Sequence, residues 1–461
     1  MNRRHDDISH HMARMASNVA LDALSEPARN AAKMTILDTL GVALAASGVE
    51  PAVQGLLDLV SEDGGREEAT VWGRGYRVPA AGAAFANGAL AHCLDFDDQT
   101  PWGQHSGSSI VPATLAVAER GGAVSGADLI AAVAAGQDIF ARIRRHVGWL
   151  KDWNLSSVAG VYAGAAAAGR VLGMPEHVIH HALGIASQQS AGIGEVLAGT
   201  GSDLRGVYAG FSARGAVNAV LLAERGMTGV DRLFEGPSGV FNTYFGGRYD
   251  REPMLADLGT DFQGAGTLYK LWPAVGTSHS HIHAAIQIVH EEHLAPEDID
   301  QVRVFVGDYH SLMCTPLEVR RAPDTLVDAK FSLPFLVALA VVHQSVKVAH
   351  FTTEGLRDDR VRAMAAKVVP VQDDSLNWGL ELPPGRVEII DTRGSSFTRE
   401  GSGYPGSPEA PTTWEELAQK FRDCAAVAAR PPAVQQAELV VELVRDLESA
   451  ADVAAIIRGL Q

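Results

Sequence analysis

The chain has 461 residues, 46% of them apolar and 20% charged. That length suits two or three domains with a large core, and the composition is too apolar for a disordered chain. Lysine and arginine number 38 against 55 aspartates and glutamates, a net charge of −17. An acidic balance argues against nucleic-acid or anionic-membrane partners, which need a basic face. A few cations in a cleft still suffice to hold a carboxylate. The start, MNRRHDDISHHMARMA, lacks the apolar middle of a secretion signal. No uncharged apolar run reaches the roughly 18 residues of a spanning helix. Cys93, Cys314 and Cys424 lie far apart, with no CxxC pair and no disulfide framework. These features predict a cytoplasmic protein with free thiols.

The first 260 residues carry alanine and glycine at helical spacing, and no sheet is predicted there. Ser25 and Pro27 open a helix whose apolar face runs from Met34 to Leu44, with Gly48 near its end. Ser125 opens another, with Asp128 three residues on. The stretches 80–93 and 163–173 hold very small side chains, which let helix backbones approach closely. After Gly264 and Gly266 the pattern changes. Residues 301–306 and 386–390 alternate like strands, and 367–371 is a weaker candidate. Between them, 332–344 reads as a buried helix. Four glycines and three prolines over 394–411 predict a loop or linker. Thr413 and Glu416 then cap a helix. The layout is mainly α. Residues 1–265 and 400–461 form a large all-helical domain from both chain ends, and 266–399 an inserted, smaller α+β lid domain.

Four segments can carry chemistry. In 92–120, Asp95, Asp97 and Asp98 precede His105 in a Gly/Ser/Pro-rich loop. A carboxylate beside an imidazole makes a base or fixes a tautomer, and a solvated acidic cluster is the alternative. In 270–293 lie five of the 17 histidines. A helix there would put His279 and His283 on one face. An extended chain would align His279, His281 and His283. Either set can ligate a metal, or the histidines are satisfied polar groups near a helix start. Lys270 precedes an apolar Leu-Trp-Pro turn, where a buried ammonium needs an anionic partner. In 199–226, a glycine-rich lead-in offers amides, Arg205 a fork for a carboxylate and Tyr208 a hydroxyl. A tight helix–helix turn explains the same segment. No phosphate loop or GxGxxG unit indicates a nucleotide. In 153–169, Asn154 precedes a small-residue helix and caps it or faces a ligand. His177, His180 and His181 read as an exposed helix face.

Taken together, ILDTLGVALAASG (36–48), AHCLDFDD with His105 downstream, AAGQDIFARI (134–143), SSVAGVYAGAAAAGRVLG (156–173) and GFSARGAVNAVLLAERGMTG (210–229) resemble the MmgE/PrpD family. The likeness continues through LYKLWPA (268–274), DAKFSLPFLVALAVV (328–342), RVEIIDTRG (386–394) and TWEELAQKF (413–421). It implies a homodimeric, cofactor-independent enzyme acting on small di- or tricarboxylates at a site between its domains. No metal is implied. Asp95, His105 and Lys270 stand where the family places an acid, a histidine and a lysine. Asn154, Arg205, Tyr208 and Val275 stand in place of a histidine, a lysine, a histidine and a histidine.

The resulting expectation is a lyase or isomerase that works next to a carboxylate, by dehydratase-like elimination or by epimerisation. Arg205 and Lys270 clamp carboxylates, and Asn154 orients the substrate. His105, oriented or charged by Asp95, moves the proton. Tyr208 serves another side of the pocket, and His279 is a reserve acid that touches substrate. The alternatives are a metal-dependent hydrolase built on the 279–283 histidines and a catalytically inactive carboxylate-binding relative.

Overall fold

The computed structural model describes residues 6–460, so the first five residues of the start weighed above as a leader lie outside it. The chain is mainly helical, with a two-stranded and a four-stranded sheet among the described residues. The helix Glu26–Val49 opens as the sequence predicts: Ser25 Oγ accepts the Ala28 amide at 3.4 Å, and Pro27 sits in the first turn. By length and composition this helix is apolar enough to cross a membrane, but 78% of its most apolar window is buried inside the protein. It is apolar on all sides because other helices surround it. Its two buried charged residues are paired, Lys33 with Glu448 and Asp38 with Lys420. Ser125 caps Gly126–His146, and Thr413 with Glu416 forms a capping box on Trp414–Ala426.

Small side chains set the closest helix contact. In Ala80–His92 and Leu204–Glu224, Gly88 and Gly210 face each other. A Cβ on Gly88 would sit 2.9 Å from the Gly210 Cα, and one on Gly210 would overlap the Phe85 carbonyl. One of these helices leads into the turn that carries the site described below and the other begins part of its facing wall, so their spacing sets the distance between those parts.

The sheets correct the sequence expectation twice. A short hairpin, β1 (Ala69–Val71) with β2 (Tyr76–Val78), lies within the part expected to be all-helical. Gly73 and Gly75 take positive φ in its turn, and three-residue strands are too short to show alternation. The second sheet has the order β4-β3-β5-β6, from β3 (Ile299–Val306), β4 (Val368–Gln372), β5 (Arg386–Asp391) and β6 (Ser396–Glu400). β3 runs parallel to β4 and antiparallel to β5, with Val304 opposite Val387. β6 falls inside the stretch expected to be a loop. It is an edge strand whose alternate residues are exposed, and it offers little apolar pattern to read.

Two apolar cores result. One draws on residues from Ile8 to Tyr269 and again from Leu417 to Leu460, and the other on residues from Ala274 to Ile389. Cys93, Cys314 and Cys424 are separate buried thiols. The glycine contact gives a direct test. Gly210→Ala is expected to destabilise the protein by about 1–3 kcal/mol through overpacking. Gly55→Ala, whose methyl meets no atom within 4 Å, is expected to stabilise it by about 0.5–1 kcal/mol. Urea denaturation of both variants beside the parent measures the difference.

Candidate active site

The site is built on the turn that follows the helix Ala80–His92. A helix end leaves carbonyls without partners and carries partial negative charge. Three buried lysines from three separate segments meet that end. Lys330 Nζ donates to the Cys93 carbonyl at 3.3 Å, Lys270 Nζ to the Asp95 carbonyl at 2.9 Å, and Lys420 Nζ to the Phe96 carbonyl at 2.5 Å. Each ammonium also holds a buried carboxylate: Glu50, Asp95 and Asp38 respectively. Lys420 additionally donates to the Lys270 carbonyl at 2.8 Å. Asp95 itself sits at φ 46°, a left-handed conformation that costs a non-glycine residue about 1–3 kcal/mol. Lys270 grips its carbonyl and its carboxylate together and so holds that conformation. Burial alone would raise the Asp95 carboxyl, but the charges of Lys270, His105 and His92 leave it below its ordinary range.

His105 closes the loop. Its Nδ1 lies 2.7 Å from the Asp98 carbonyl, an acceptor only, so Nδ1 carries the proton and Nε2 is the basic nitrogen. Ser156 Oγ accepts the His105 amide at 3.2 Å. Burial holds the imidazole down to about 4, so it is neutral at pH 7. Asp98 accepts the Gly107 amide at 2.9 Å and the Ser106 hydroxyl at 2.9 Å, which anchors the helix Gly107–Gly121. Burial, then Asp97 and Asp38, push the Asp98 carboxyl up to about 7. Asp97 lies between two imidazoles, 3.0 Å from His92 Nδ1 and 3.4 Å from His105 Nδ1. Burial works against its charge, yet His105 and His92 keep its carboxyl below the usual range. Ligand atoms of His92, Asp97 and His105 lie within 4.8 Å of one another, close enough for a metal. Their Nδ1 atoms instead address Asp97 and the Asp98 carbonyl, so donors already meet acceptors there.

The facing wall comes from the starts of two helices. Asn154 is the N-cap residue of Leu155–Val171, but its side chain makes no capping bond, and its buried Nδ2 has no partner. Arg205, in the first turn of Leu204–Glu224, donates to the Leu197 carbonyl and reaches the Tyr309 hydroxyl. Its guanidinium lies 3.4 Å from the centre of the Phe331 ring, and its buried Nε has no partner. Tyr208 lies near Ser156, and its ring centre is 4.3 Å from that of His92. Burial pushes its hydroxyl well above its ordinary value, so it keeps its proton.

Asp95, His105, Asn154, Arg205 and Tyr208 therefore line one cleft. Three expectations change. His105 is oriented by the Asp98 carbonyl, because its Nε2 stays 3.7 Å from Asp95, beyond hydrogen-bond reach. Lys270 lies behind Asp95 and not on the cleft wall, since its ammonium is committed to that residue. His279 also misses the wall: its Nε2 faces the Ala274 carbonyl at 3.2 Å, and its ring rests against Trp272 and Tyr404. The segment is helical over His279–Glu291, which sends His281 the other way, onto the Phe305 carbonyl at 2.8 Å. Among the described residues the 279–283 histidines form no candidate metal cluster. His180, read as exposed, is buried.

Sequence reasoning missed His92, Lys330 and Lys420. Lys420 left a signal, because it falls on the apolar face formed by Leu417, Phe421 and Cys424. A lysine on that face has to be buried with a partner.

A helical body whose buried turn presents a neutral imidazole opposite an unsatisfied arginine defines an enzyme-type, anion-accepting cleft. Residues 10–252 match the MmgE/PrpD N-terminal domain and residues 272–446 the MmgE/PrpD C-terminal domain. The chain belongs to the MmgE/PrpD family. It is similar along its length to proteins named cis-aconitate decarboxylase. That of Mus musculus is 25% identical, covering 98% of this chain and 93% of the relative. That of Aspergillus terreus is 28% identical, with 96% and 94% covered, and that of Homo sapiens 24%, with 93% and 89%.

Nitrogen-15 NMR of histidine-labelled protein, with His105→Gln to assign the signal, checks the central imidazole. His105 is expected to stay neutral with its proton on Nδ1 between about pH 5 and 8. A midpoint near its ordinary value of about 6.5 contradicts the geometry.

Proposed function

We propose that this protein is a cofactor-independent lyase or isomerase that acts on a small di- or tricarboxylate by removing a proton next to a carboxylate. The observation that carries this is the pair of buried donors without partners, Arg205 Nε and Asn154 Nδ2, on the same cleft as His105. Orphaned buried donors are costly, and a carboxylate satisfies both at once. The cis-aconitate decarboxylase relatives support a carboxylate substrate and lyase chemistry.

In this mechanism Arg205 and Asn154 bind one carboxylate and draw charge onto it. His105 Nε2 takes the proton from the adjacent carbon, and the electron pair moves into that carboxylate as an enolate. The imidazolium that forms is stabilised by Asp95 and Asp97. Lys270 keeps Asp95 from repelling the substrate. Tyr208, which retains its proton, donates it to a departing β-group, giving elimination. Protonation of the enolate by Tyr208 on the opposite face, with His105 keeping the proton it removed, gives epimerisation instead; transfer of that proton from His105 back to Tyr208 resets the site. The same reading takes the working form as a homodimer, on the family resemblance, and as cytoplasmic, on its free thiols.

Proton NMR in D₂O with chelator-treated protein tests it, using citrate-like, aconitate-like, hydroxy-dicarboxylate and amino-dicarboxylate compounds. New vinyl signals or deuterium uptake beside a carboxylate are expected. His105→Ala is expected to lower that rate about 100-fold or more with the fold intact. Unchanged turnover in His105→Ala overturns the proposal. So does activity that appears only with added metal on an ester or amide.

A further inference from the structure

The cleft is poor in charge for a tricarboxylate site. Arg205 is the one cationic side chain on its wall among the described residues, and Asp95 the one carboxylate. Lys270, behind the wall, already neutralises Asp95. Arg144 lies nearby, but its guanidinium donates to the Trp102 carbonyl and to Gln104, and it does not line the cleft. Neutral polar groups such as Gln99, Gln104, Ser156 and Thr277 occupy part of the wall, and Trp149, Val275, Tyr309, Trp378 and Leu382 give it one apolar, largely aromatic part. Trp378 stands edge-on to Trp149, with ring centres 5.5 Å apart, and to Tyr309, at 4.7 Å. Such rings offer an apolar face to a ligand.

A third carboxylate placed against this wall would lose its water and gain no cation. An apolar group there would bury its surface. We propose that the substrate carries a ring-sized or branched apolar substituent where a tricarboxylate carries its third carboxylate group. This rests on the carboxylate chemistry proposed above and narrows it. The free space in the cleft is about 50 Å³, whereas a dry cavity that takes a benzene ring measures about 150 Å³. The wall must therefore yield as substrate enters. Trp378 and Leu382 sit in residues 377–385, which form no helix or strand and can give way.

Phenylsuccinate and tricarballylate are both 2-substituted succinates and differ only in an apolar against a charged substituent. Titration calorimetry of each against the full-length protein near neutral pH compares them directly. Phenylsuccinate is expected to bind about tenfold tighter or more. Trp378→Leu, which keeps the wall apolar and opens the space the ring otherwise has to make, is expected to raise that ratio several-fold. Tricarballylate binding as tightly or more tightly overturns the inference and leaves the carboxylate reading standing. An unchanged ratio in folded Trp378→Leu protein overturns the assignment to this wall. Binding of neither compound overturns both.

Discussion

Three buried ammonium groups converge on one helix end, and the site depends on them. Lys330, Lys270 and Lys420 hold the carbonyls of Cys93, Asp95 and Phe96, and each is neutralised by a buried carboxylate. Removing one partner of such a pair strands a charge in the interior, at a cost of about 3–5 kcal/mol. The arrangement is therefore fixed by what it would cost to break, more than by what each pair adds. It also lies just past the helix end, whose dipole favours cations. With the turn held, Asp95 stays in its left-handed conformation and the Asp98 carbonyl stays aimed at His105.

The same lysines join distant parts of the chain. Lys420 comes from the helix Trp414–Ala426 of the first core, and Lys330 from the second core. Lys270 lies just before the second core begins. The turn is a junction where both cores and both chain ends meet. The cleft wall is shared in the same way. The first core supplies Asp95, His105, Asn154, Arg205 and Tyr208, and the second supplies Val275, Tyr309, Phe331 and Trp378. In the proposed mechanism, proton chemistry belongs to the turn held within the helical part. Substituent selection belongs to the side that includes an irregular segment.

Local signals in the sequence carried much of this. Ser25, Ser125 and Thr413 begin helices through side-chain oxygens that bond nearby amides, a device readable within four residues. The alternation of Val302, Val304 and Val306 marks β3 for the same reason. Lys270 announced itself as a buried cation in need of an anion, though its partner, Asp95, lies 175 residues away. What stayed hidden depends on tertiary approach. Nothing local distinguishes Lys330 as a ligand of the Cys93 carbonyl, or separates a histidine held by a backbone carbonyl from one that faces a ligand. His105 and His279 illustrate this. Both sit beside a backbone carbonyl, and only one, the partly exposed His105, lines the cleft.

The most direct test of the lysine-held turn is hydrogen–deuterium exchange on the Asp38→Asn/Lys420→Met double variant, which removes one of the three grips without stranding a charge. Faster exchange is predicted to concentrate in peptides covering residues 93–107. The helix Leu204–Glu224 and the four-stranded sheet should exchange as in the parent protein. Unchanged exchange over 93–107, or a uniform rise along the whole chain, would contradict the account.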